Sequence, residues 1–268
     1  MQPRHDPAAV RNPMNAARHE TMLERPARNE SLGLPAGISA CLFDLDGVLT
    51  KTADLHAEAW KQTFDAFLRE RSVRKPEPFV PFDLVHDYER YVDGRPRYDG
   101  VRAFLAARTI EADSAMVTAL GDRKNELVLE LIRRRGLEPY KGSVLYLRAV
   151  RAAGLRRAVV SASANCRAVL AAADLTDLFE VRIDAARATE AHLRGKPAPD
   201  TFLAGAHALG VKPAAAAVFE DALAGVAAGR AGRFGFVVGV DRTGHADELR
   251  RAGADVVVSD LSELLERR

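Results

Sequence analysis

The sequence has few of the features that mark secreted, membrane-bound or nucleic-acid-binding proteins. It holds only two cysteines, Cys41 and Cys166, which match neither a disulfide framework nor a zinc site. No apolar run approaches the roughly 18 residues of a membrane span, and no apolar segment follows the N-terminal arginines as in a secretory signal. The basic residues are dispersed and the formal net charge is +2. We therefore expect a cytoplasmic protein without nucleic-acid or membrane partners.

The N-terminal part of the chain has no regular hydrophobic pattern. Prolines are scattered through it, at positions 3, 7, 13, 26 and 35, and neither a helical nor a strand period holds. We expect residues 1–35 to form a disordered or loosely packed tail. The whole sequence is 47% hydrophobic over 268 residues, which is enough for one large domain or two modest ones.

Beyond this tail the sequence predicts an α/β fold. Residues 38–43 form a short apolar run that suits a strand buried on both faces. After residue 139, helical patterns alternate with the strand-like runs RRAVVSAS, FEVRID, AAAVFED and FGFVVGV, which is typical of a parallel sheet with crossover helices. Mostly helical patterns over 53–138 separate the first strand from the others. We therefore predict a Rossmann-like parallel-sheet core, residues 36–52 plus 139–268, with an inserted helical domain at 53–138.

Polar side chains follow the predicted strands at the points where those strands end. In open parallel sheets, ligands bind outside the carboxyl ends of the strands. We therefore expect the following residues to converge on one rim of the sheet: Asp44, Asp46, Ser161, Ala162, Ser163, Lys196, Glu220 and Asp221. Side chains two apart on an extended chain face the same way, so the first two aspartates would repel each other unless a cation lies near.

The acids of this rim predict a metal site. Carboxylates without sulfur or histidine suit Mg²⁺, a hard ion that proteins hold with a few carboxylates and a substrate phosphate. The predicted ligands are Asp44, Asp46, Glu220 and Asp221. Lys196 and Ser161 would then face the phosphate oxygens.

Such a site predicts phosphoryl transfer. An ionised Asp44 next to a metal-bound phosphate can attack phosphorus and form an aspartyl-phosphate. Asp46 can serve as general acid and base for the sugar oxygen that leaves or arrives. The metal and Lys196 would neutralise the charge that spreads over the transferring group.

Taken together, these motifs resemble those of the haloacid dehalogenase superfamily. The segment DLDGVLT, which holds both aspartates, is similar to the first motif of that superfamily. Ser161, Lys196 in GKPAPD and the pair Glu220–Asp221 fit the second, third and fourth motifs in order. The resemblance covers about residues 38–260 and omits the tail. It implies a Rossmann-like core with a helical cap domain, a phosphorylated aspartate and Mg²⁺.

Further residues resemble the β-phosphoglucomutase branch of that superfamily, whose members move phosphate between C1 and C6 of β-glucose phosphates through a bisphosphate. In LTKTADLHAEAW, Thr52, His56 and Trp60 are spaced by four, so a helix would stack them on one face. The resemblance implies that these three residues contact the substrate. It also implies that the distal phosphate and the sugar are bound by Gly94, Arg97, Lys124, Ser163 and Asn165. Glucose 1,6-bisphosphate is the implied activating intermediate.

Two positions depart from the pattern of this branch. Lys51 stands where the branch usually has an acid, and Ala164 stands where it often has a lysine. The second departure removes one cation from the site for the non-reacting phosphate. Arg95 or Arg97 could supply a cation in its place.

The sequence therefore predicts a Mg²⁺-dependent phosphotransferase that interconverts β-D-glucose 1-phosphate and glucose 6-phosphate. A sugar-phosphate phosphatase is the alternative, because it would share every core residue and differ only in what the cap admits. A dehalogenase would not need the metal-binding acids, and a non-catalytic sensor would not need both Asp44 and Asp46. The expected partner is a small sugar phosphate, and we expect a monomer.

Overall fold

The centre of the protein is an all-parallel sheet of six strands in the computed structural model, which describes residues 29–75 and 77–266. The strand order is β3-β2-β1-β4-β5-β6, and each neighbouring pair is parallel. The strands are β1 Ala40–Phe43, β2 Arg156–Val160, β3 Val181–Ile183, β4 Ala216–Glu220, β5 Phe236–Val240 and β6 Val256–Val258. This confirms the predicted α/β class with a Rossmann-like sheet.

The register of the central strands determines which residues meet at the carboxyl rim. Every residue of β1 is apolar and fully buried, as expected of a central strand that helices cover on both faces. Phe43 pairs with Val159 in β2 and with Phe219 in β4. The residues that follow Phe43 and Phe219, Asp44 and Glu220, therefore emerge side by side.

The described residues from Ala53 to Arg135, which follow β1, form a helical insertion. Its elements are α1 Ala53–Arg74, a single wide helical turn at Tyr88–Val92, α2 Arg97–Ala107 and α3 Ser114–Arg135. Aromatic rings fill its interior: the ring centroids of Trp60 and Phe64 lie 5.1 Å apart, and those of Phe64 and Phe104 lie 4.1 Å apart. This apolar cluster is separate from the two that cover the sheet, so the insertion has a core of its own.

Two neighbouring segments connect the insertion to the sheet. The Lys51 N–H donates to the carbonyl of Glu138, and the Tyr140 N–H donates to the carbonyl of Leu49, both at 2.9 Å. The Lys51 ammonium also lies 2.9 Å from the Glu138 carboxylate, and its side chain is 50% exposed. The departure at position 51 is therefore part of a surface ion pair with Glu138.

Helices cover both faces of the sheet. They are α4 Lys141–Ala152, α5 Cys166–Ala172, α6 Ala185–Glu190, α7 Asp200–Ala208, α8 Leu223–Ala231, α9 Ala246–Ala252 and α10 Glu263–Glu266. Because side chains alternate along a strand, Cys41 and Phe43 pack against residues of α4, α5 and α10. Ala40 and Leu42 pack on the other face against α7, α8 and α9. No helix of the described residues is long and apolar enough to cross a membrane.

The predicted tail, residues 1–35, includes residues that are packed against the core. Leu32 and Leu34 are buried in the core cluster on the α4 face, and the Tyr146 hydroxyl donates to the Leu32 carbonyl at 2.9 Å. The Asn29 side-chain amide donates to the carbonyls of Pro35, Ala36 and Ile38. Burial of Leu32 and Leu34 and the hydrogen bonds of the Asn29 amide therefore hold residues 29–35 against the core. The expectation of loose packing was wrong for them. The rest of that prediction, residues 1–28, lies outside the described residues.

Candidate active site

Asp44 and Lys196 form the centre of the site. Asp44 follows β1 directly and is 6% exposed, and its N–H donates to the Phe219 carbonyl of β4 at 2.9 Å. The Lys196 ammonium donates to Asp44 Oδ1 at 2.5 Å, to the Val160 carbonyl at 3.3 Å and to the Glu220 carboxylate. One buried cation thus holds the acids of β1 and β4 together.

The electrostatics of this group follow from its burial. Burial lowers the pKa of Lys196, but the carboxylates of Asp44 and Glu220 outweigh that effect and leave the pKa above its usual value. Burial raises the pKa of Asp44, and the charge of Lys196 only partly offsets this. The pKa of Glu220 is raised to about 8 by burial, against the opposing charge of Lys196. The Lys196 ammonium therefore stays charged. Its positive charge only partly offsets the effect of burial on Asp44 and Glu220, so the pKa values of both acids stay raised.

Three of the predicted metal ligands converge. Carboxylate oxygens of Asp44, Glu220 and Asp221 lie within 4.8 Å of one another, and all three residues are buried. Burial, and after it the charges of Asp93 and Glu220, raise the pKa of Asp221 well above its usual value. Three crowded carboxylates with raised pKa values and an oxygen-only donor set fit a hard divalent cation such as Mg²⁺.

Two glycines make room for this acid cluster. A Cβ atom on Gly225, in the first turn of α8, would lie 1.9 Å from the Glu220 carboxylate. A Cβ atom on Gly47 would lie 1.8 Å from Asp221 Oδ2, and Gly47 also has a φ of +86°. The glycines of DLDG and of the helix after FED are therefore required by close approach of the acids.

The Asp46 carboxylate is not one of the three that lie within 4.8 Å of one another, and its role as a fourth ligand stays a prediction. It accepts a hydrogen bond from the Thr52 hydroxyl and lies 3.7 Å from His56 Nε2. The chain turns directly after β1, since the Leu49 N–H donates to the Leu45 carbonyl at 2.9 Å. The alternation rule for extended chains therefore does not reach Asp46. Burial raises the pKa of its carboxyl group, which suits a group that carries a proton.

A cavity of about 60 Å³ separates the sheet rim from the insertion. The predicted residues that line it are Asp44, Asp46, His56, Trp60, Gly94, Arg97, Lys124, Ala162, Ser163 and Asp221. Other predicted residues form hydrogen bonds to the residues that line the cavity. Thr52 bonds to Asp46, and Lys196 bonds to both Asp44 and Glu220.

The serine loop after β2 is a chain of hydrogen bonds. Ser161 Oγ accepts from the Ser163 N–H at 3.0 Å, and Ser163 Oγ accepts from the Asn165 N–H at 3.1 Å. The Asn165 amide then donates to Asn125 Oδ1 of α3 at 2.9 Å. The loop therefore connects the buried end of β2 to the insertion, and its hydroxyls are held in fixed orientations.

His56, Trp60 and Lys124 form the insertion side of the cavity. Lys124 Nζ lies 3.0 Å from His56 Nδ1 and 4.9 Å from the centre of the Trp60 ring. Burial lowers the pKa of Lys124 to about 7, and burial together with Lys124 holds the pKa of His56 well below its usual range. His56 is therefore neutral, and its ring lies between Lys124 and Asp46.

The loop before α2 brings Gly94 and Arg97 to the same place. A Cβ atom on Gly94, which has a φ of +66°, would lie 2.8 Å from the Cβ of Ala222 in the core. The Arg97 guanidinium lies 4.8 Å from the centre of the Tyr98 ring and 3.5 Å from Asp122. The substrate contacts expected of these cap residues stay a prediction.

Sequence analysis did not identify Asp93, Glu89 and His245, which lie near the acid cluster. Burial raises the pKa of Asp93 to about 6, opposed by a hydrogen bond from Tyr88 and reinforced by Asp44. His245 Nε2 donates to the Asp221 carbonyl at 3.2 Å, and its Nδ1 lies 3.9 Å from Glu89. The signal for Asp93 was its position next to Gly94 in a loop already expected at the site. No sequence motif pointed to His245 or Glu89.

Comparison with known proteins identifies the family. The family model described as haloacid dehalogenase-like hydrolase matches residues 38–233. The chain therefore belongs to the haloacid dehalogenase-like hydrolases and is an enzyme of that family, which confirms the resemblance inferred from the four motifs.

The similar proteins indicate which branch of the family the chain resembles. A β-phosphoglucomutase of Mycobacterium tuberculosis is 56% identical over 250 residues, which cover 89% of this chain and 95% of the relative. A β-phosphoglucomutase of Bacillus subtilis is 30% identical over 232 residues, covering 85% and 92%. Among solved structures, β-phosphoglucomutase from Clostridium difficile aligns with a TM-score of 0.69 at 26% identity, covering 85% of this chain and 93% of the other.

Proposed function

We propose that this protein is a phosphomutase that interconverts β-glucose 1-phosphate and glucose 6-phosphate. The observation that carries the proposal is the pairing of two buried aspartates with different surroundings. Asp44 lies against the Lys196 ammonium and the other acids, whereas Asp46 lies against Thr52 and the neutral His56 of the insertion. One aspartate is placed to act as nucleophile and the other to transfer a proton. The names of the relatives supply the substrate class.

The two aspartates divide the chemistry. Asp44 carries a phosphoryl group at the start of the cycle. The C6 hydroxyl of β-glucose 1-phosphate attacks that phosphorus, Asp46 takes the hydroxyl proton, and the bond from phosphorus to Asp44 breaks. In the second half the other phosphate of the resulting glucose 1,6-bisphosphate faces Asp44. A carboxylate oxygen of Asp44 attacks its phosphorus, the bond to the C1 oxygen breaks, and Asp46 returns its proton to that oxygen. Glucose 6-phosphate leaves, and Asp44 is phosphorylated again.

Charge neutralisation falls to Lys196 and a bound cation. Asp44, Glu220 and Asp221 would hold Mg²⁺, which supplies positive charge next to the phosphoryl oxygens. The Lys196 ammonium fixes the Asp44 carboxylate in one orientation and keeps its charge. The Ser161 hydroxyl would donate to a phosphate oxygen.

Exclusion of water is what separates a mutase from a phosphatase, since water would hydrolyse the aspartyl-phosphate. A Cβ atom on Gly94 would lie 2.8 Å from the Cβ of Ala222, and a Cβ atom on Gly195 of the core would lie 2.1 Å from Pro96 of the insertion loop. Asn165 and Asn125 join the two parts by a hydrogen bond at 2.9 Å. These contacts close the insertion over a cavity of about 60 Å³ and support the mutase over the phosphatase.

The deciding experiment follows two products in one assay. The purified protein receives Mg²⁺, β-glucose 1-phosphate and a trace of glucose 1,6-bisphosphate, and glucose 6-phosphate and free phosphate are measured together. We expect glucose 6-phosphate to accumulate without equivalent free phosphate, and Asp44→Asn to abolish both. Free phosphate alone would instead make the protein a sugar-phosphate phosphatase.

The proposal also covers the cellular location and the oligomeric state of the enzyme. Cytoplasmic location is supported by a phosphorylated substrate class and by Cys41 and Cys166, which are both buried and unpaired. We further propose that the protein acts as a monomer, which light scattering of the purified chain would test.

A further inference from the structure

Arg242 joins three segments of the core at the base of the insertion. It lies two residues beyond β5, and its side chain is only 15% exposed. Nε donates to the Gly47 carbonyl at 3.0 Å, and Nη1 donates to the Ser259 carbonyl at 2.6 Å. Nη2 lies within 3.5 Å of the Val48 carbonyl and the Ser143 hydroxyl. Since every nitrogen of the guanidinium has a protein acceptor, Arg242 connects parts of the chain and is not a free anion-binding group.

The first of these segments is the turn after Asp46. Gly47 follows Asp46 directly, and a Cβ atom on Gly47 would lie 1.8 Å from Asp221 Oδ2. The turn is closed by the Gly47 N–H, which donates to the Thr50 carbonyl at 2.9 Å. By holding the Gly47 carbonyl, Arg242 therefore fixes the backbone between the acid that moves the proton and an acid of the metal cluster.

The second segment is the place where the insertion returns to the core. Tyr140 directly precedes α4, and its N–H donates to the Leu49 carbonyl at 2.9 Å. The guanidinium carbon of Arg242 lies 3.6 Å from the centre of the Tyr140 ring, which is a close cation–π contact. Ser143, in the first turn of α4, donates to the Val48 carbonyl at 2.6 Å. The outgoing and the returning chain are thus bonded to each other, and both contact Arg242.

The third segment is the loop after β6. Besides its bond to the Ser259 carbonyl, Arg242 lies 3.4 Å from the Asp260 carboxylate. A Cβ atom on Gly142 of α4 would lie 1.6 Å from Asp260 Oδ1, so the first turn of α4 packs directly on this loop. The core end of the returning segment is therefore held by close packing as well as by Arg242.

The turn that carries Arg242 is itself fixed. The Asp241 N–H donates to the Val258 carbonyl of β6 at 2.8 Å. The Asp241 carboxylate accepts hydrogen bonds from the N–H groups of residues 243–245. Arg242 thus extends from a rigid turn, which gives its guanidinium one defined position against the carbonyls that it binds.

We propose that Arg242 is a positioning residue for phosphoryl transfer, which fixes the turn after Asp46 and the start of α4 to the core. The insertion then closes over acids whose spacing does not change, and its hinge motion lies on the insertion side of Leu49 and Tyr140. This inference rests on the proposed function for the reaction. It adds a residue outside the 60 Å³ cavity, which acts through Gly47 and Tyr140.

The first test measures both products of the reaction in Arg242→Gln. Misplacement of reacting groups costs up to about a hundredfold in rate, so kcat for glucose 6-phosphate formation should fall by about ten- to a hundredfold. KM should stay within about threefold, since no substrate contact is removed. Attack by water needs less exact orientation, so free phosphate per glucose 6-phosphate should rise. Unchanged kcat and product ratio would overturn the proposal.

Arg157→Gln is the matched control. Arg157 is another largely buried arginine, 11% exposed, which donates to the Leu178 carbonyl at 2.8 Å and pairs with Glu180. It lies near the start of β2, at the end of the sheet opposite the acids. This variant should lose melting temperature as Arg242→Gln does but keep kcat and the product ratio. Equal losses of activity in the two variants would leave Arg242 with only a structural role.

Substitutions of Tyr140 test the contact with the returning segment. Tyr140→Phe keeps the aromatic face and should keep the wild-type kcat and product ratio. Tyr140→Leu removes that face and should reproduce part of the effect of Arg242→Gln. In the double variant the losses should be less than additive, because both residues act in one contact. Full additivity would count against joint fixation of this segment.

A measurement without turnover separates this inference from the proposed function. The turn at Gly47 packs on Asp221, so loss of its support should weaken Mg²⁺ binding in Arg242→Gln by at least about tenfold. Arg157→Gln should keep the wild-type affinity in the same calorimetric titration. The selective loss in a protein without mutase activity would support the role of Arg242 and overturn the mutase. Mutase activity with unchanged Mg²⁺ affinity, kcat and product ratio in Arg242→Gln would do the reverse.

Discussion

The Lys196 ammonium lies 2.5 Å from Asp44 Oδ1, and the side chains of these residues are 2% and 8% exposed. The same ammonium contacts Glu220, whose side chain is fully buried. A buried cation between two buried acids compensates charges that would otherwise be very unfavourable in the interior. Lys196 therefore stabilises the folded rim of the sheet, apart from any part it has in the reaction.

The first prediction removes this cation. Lys196→Met keeps a long apolar side chain but leaves Asp44 and Glu220 without a partner, so the free energy of unfolding should fall by about 3–5 kcal/mol. Urea unfolding at neutral pH measures the change. Mg²⁺ should return part of the lost stability, because it binds the same acids in the folded state. Lys212→Met, at an exposed lysine, is the control, and similar losses in both variants would contradict this account.

The second prediction concerns the pH dependence of stability. Burial holds the pKa of Lys124 at about 7 in the folded protein, against about 10.4 in an unfolded chain. Between these values the unfolded chain binds a proton that the folded protein does not, so the folded state gains stability as pH rises. Lys124→Met removes this contribution. The variant should be more stable than the wild type near neutral pH.

Urea unfolding between about pH 7 and about pH 9 tests the sign, since the advantage of the variant should shrink by up to about 1.4 kcal/mol per pH unit. Lys141→Met, which replaces an exposed lysine, should follow the wild-type slope. A constant difference between Lys124→Met and the wild type would mean that Lys124 stays protonated when buried.

The third prediction tests the space around the acid cluster. In Gly225→Ala a methyl group would be built 1.9 Å from the Glu220 carboxylate, so the acid must move. We expect Mg²⁺ affinity to fall at least about tenfold and stability to fall by about 1–3 kcal/mol. Calorimetric Mg²⁺ titration and urea unfolding measure the two effects. Gly37→Ala is the control, because its added methyl group meets no atom within 4 Å, and both properties should be retained there.

Sequence patterns predicted the sheet well because each central strand contains an apolar run of three residues or more. The three-residue strand β6 was missed, since Val256–Val258 is too short to stand out and two of its residues are only partly buried. The packing of residues 29–35 was missed for a related reason. Leu32 and Leu34 are isolated among polar residues and prolines, and their burial depends on Tyr146, which lies far away in sequence.

The positions of site residues were predictable where the residue directly follows a strand. They were less predictable for residues in the loops further along the chain. Asp44 and Glu220 meet because the strand register requires it. Asp93 and His245 reach the cluster from loops whose path depends on how the insertion closes on the core, and no local pattern encodes that path. Asp46 lies at a turn, so the rule that residues two apart on an extended chain share a face does not apply to it.

The last prediction separates the roles of Asp46 and Asp221. The Asp46 carboxylate is bonded to Thr52, whereas Asp221 belongs to the cluster within 4.8 Å. Asp46→Asn should therefore keep Mg²⁺ affinity within about threefold while kcat falls by about 10²–10⁴, the range expected for loss of a general acid and base. Asp221→Asn should weaken Mg²⁺ binding at least about tenfold.

Calorimetric Mg²⁺ titration without substrate and steady-state mutase rates give the two measurements for each variant. The contrast between them matters more than either value, because both variants remove one negative charge from the same rim. If Asp46→Asn lost Mg²⁺ affinity to the same degree as Asp221→Asn, the Asp46 side chain would be a metal ligand after all. Its hydrogen bond to Thr52 would then have to break when the ion binds. Retained affinity with a slow reaction would instead establish Asp46 as the group that moves the proton.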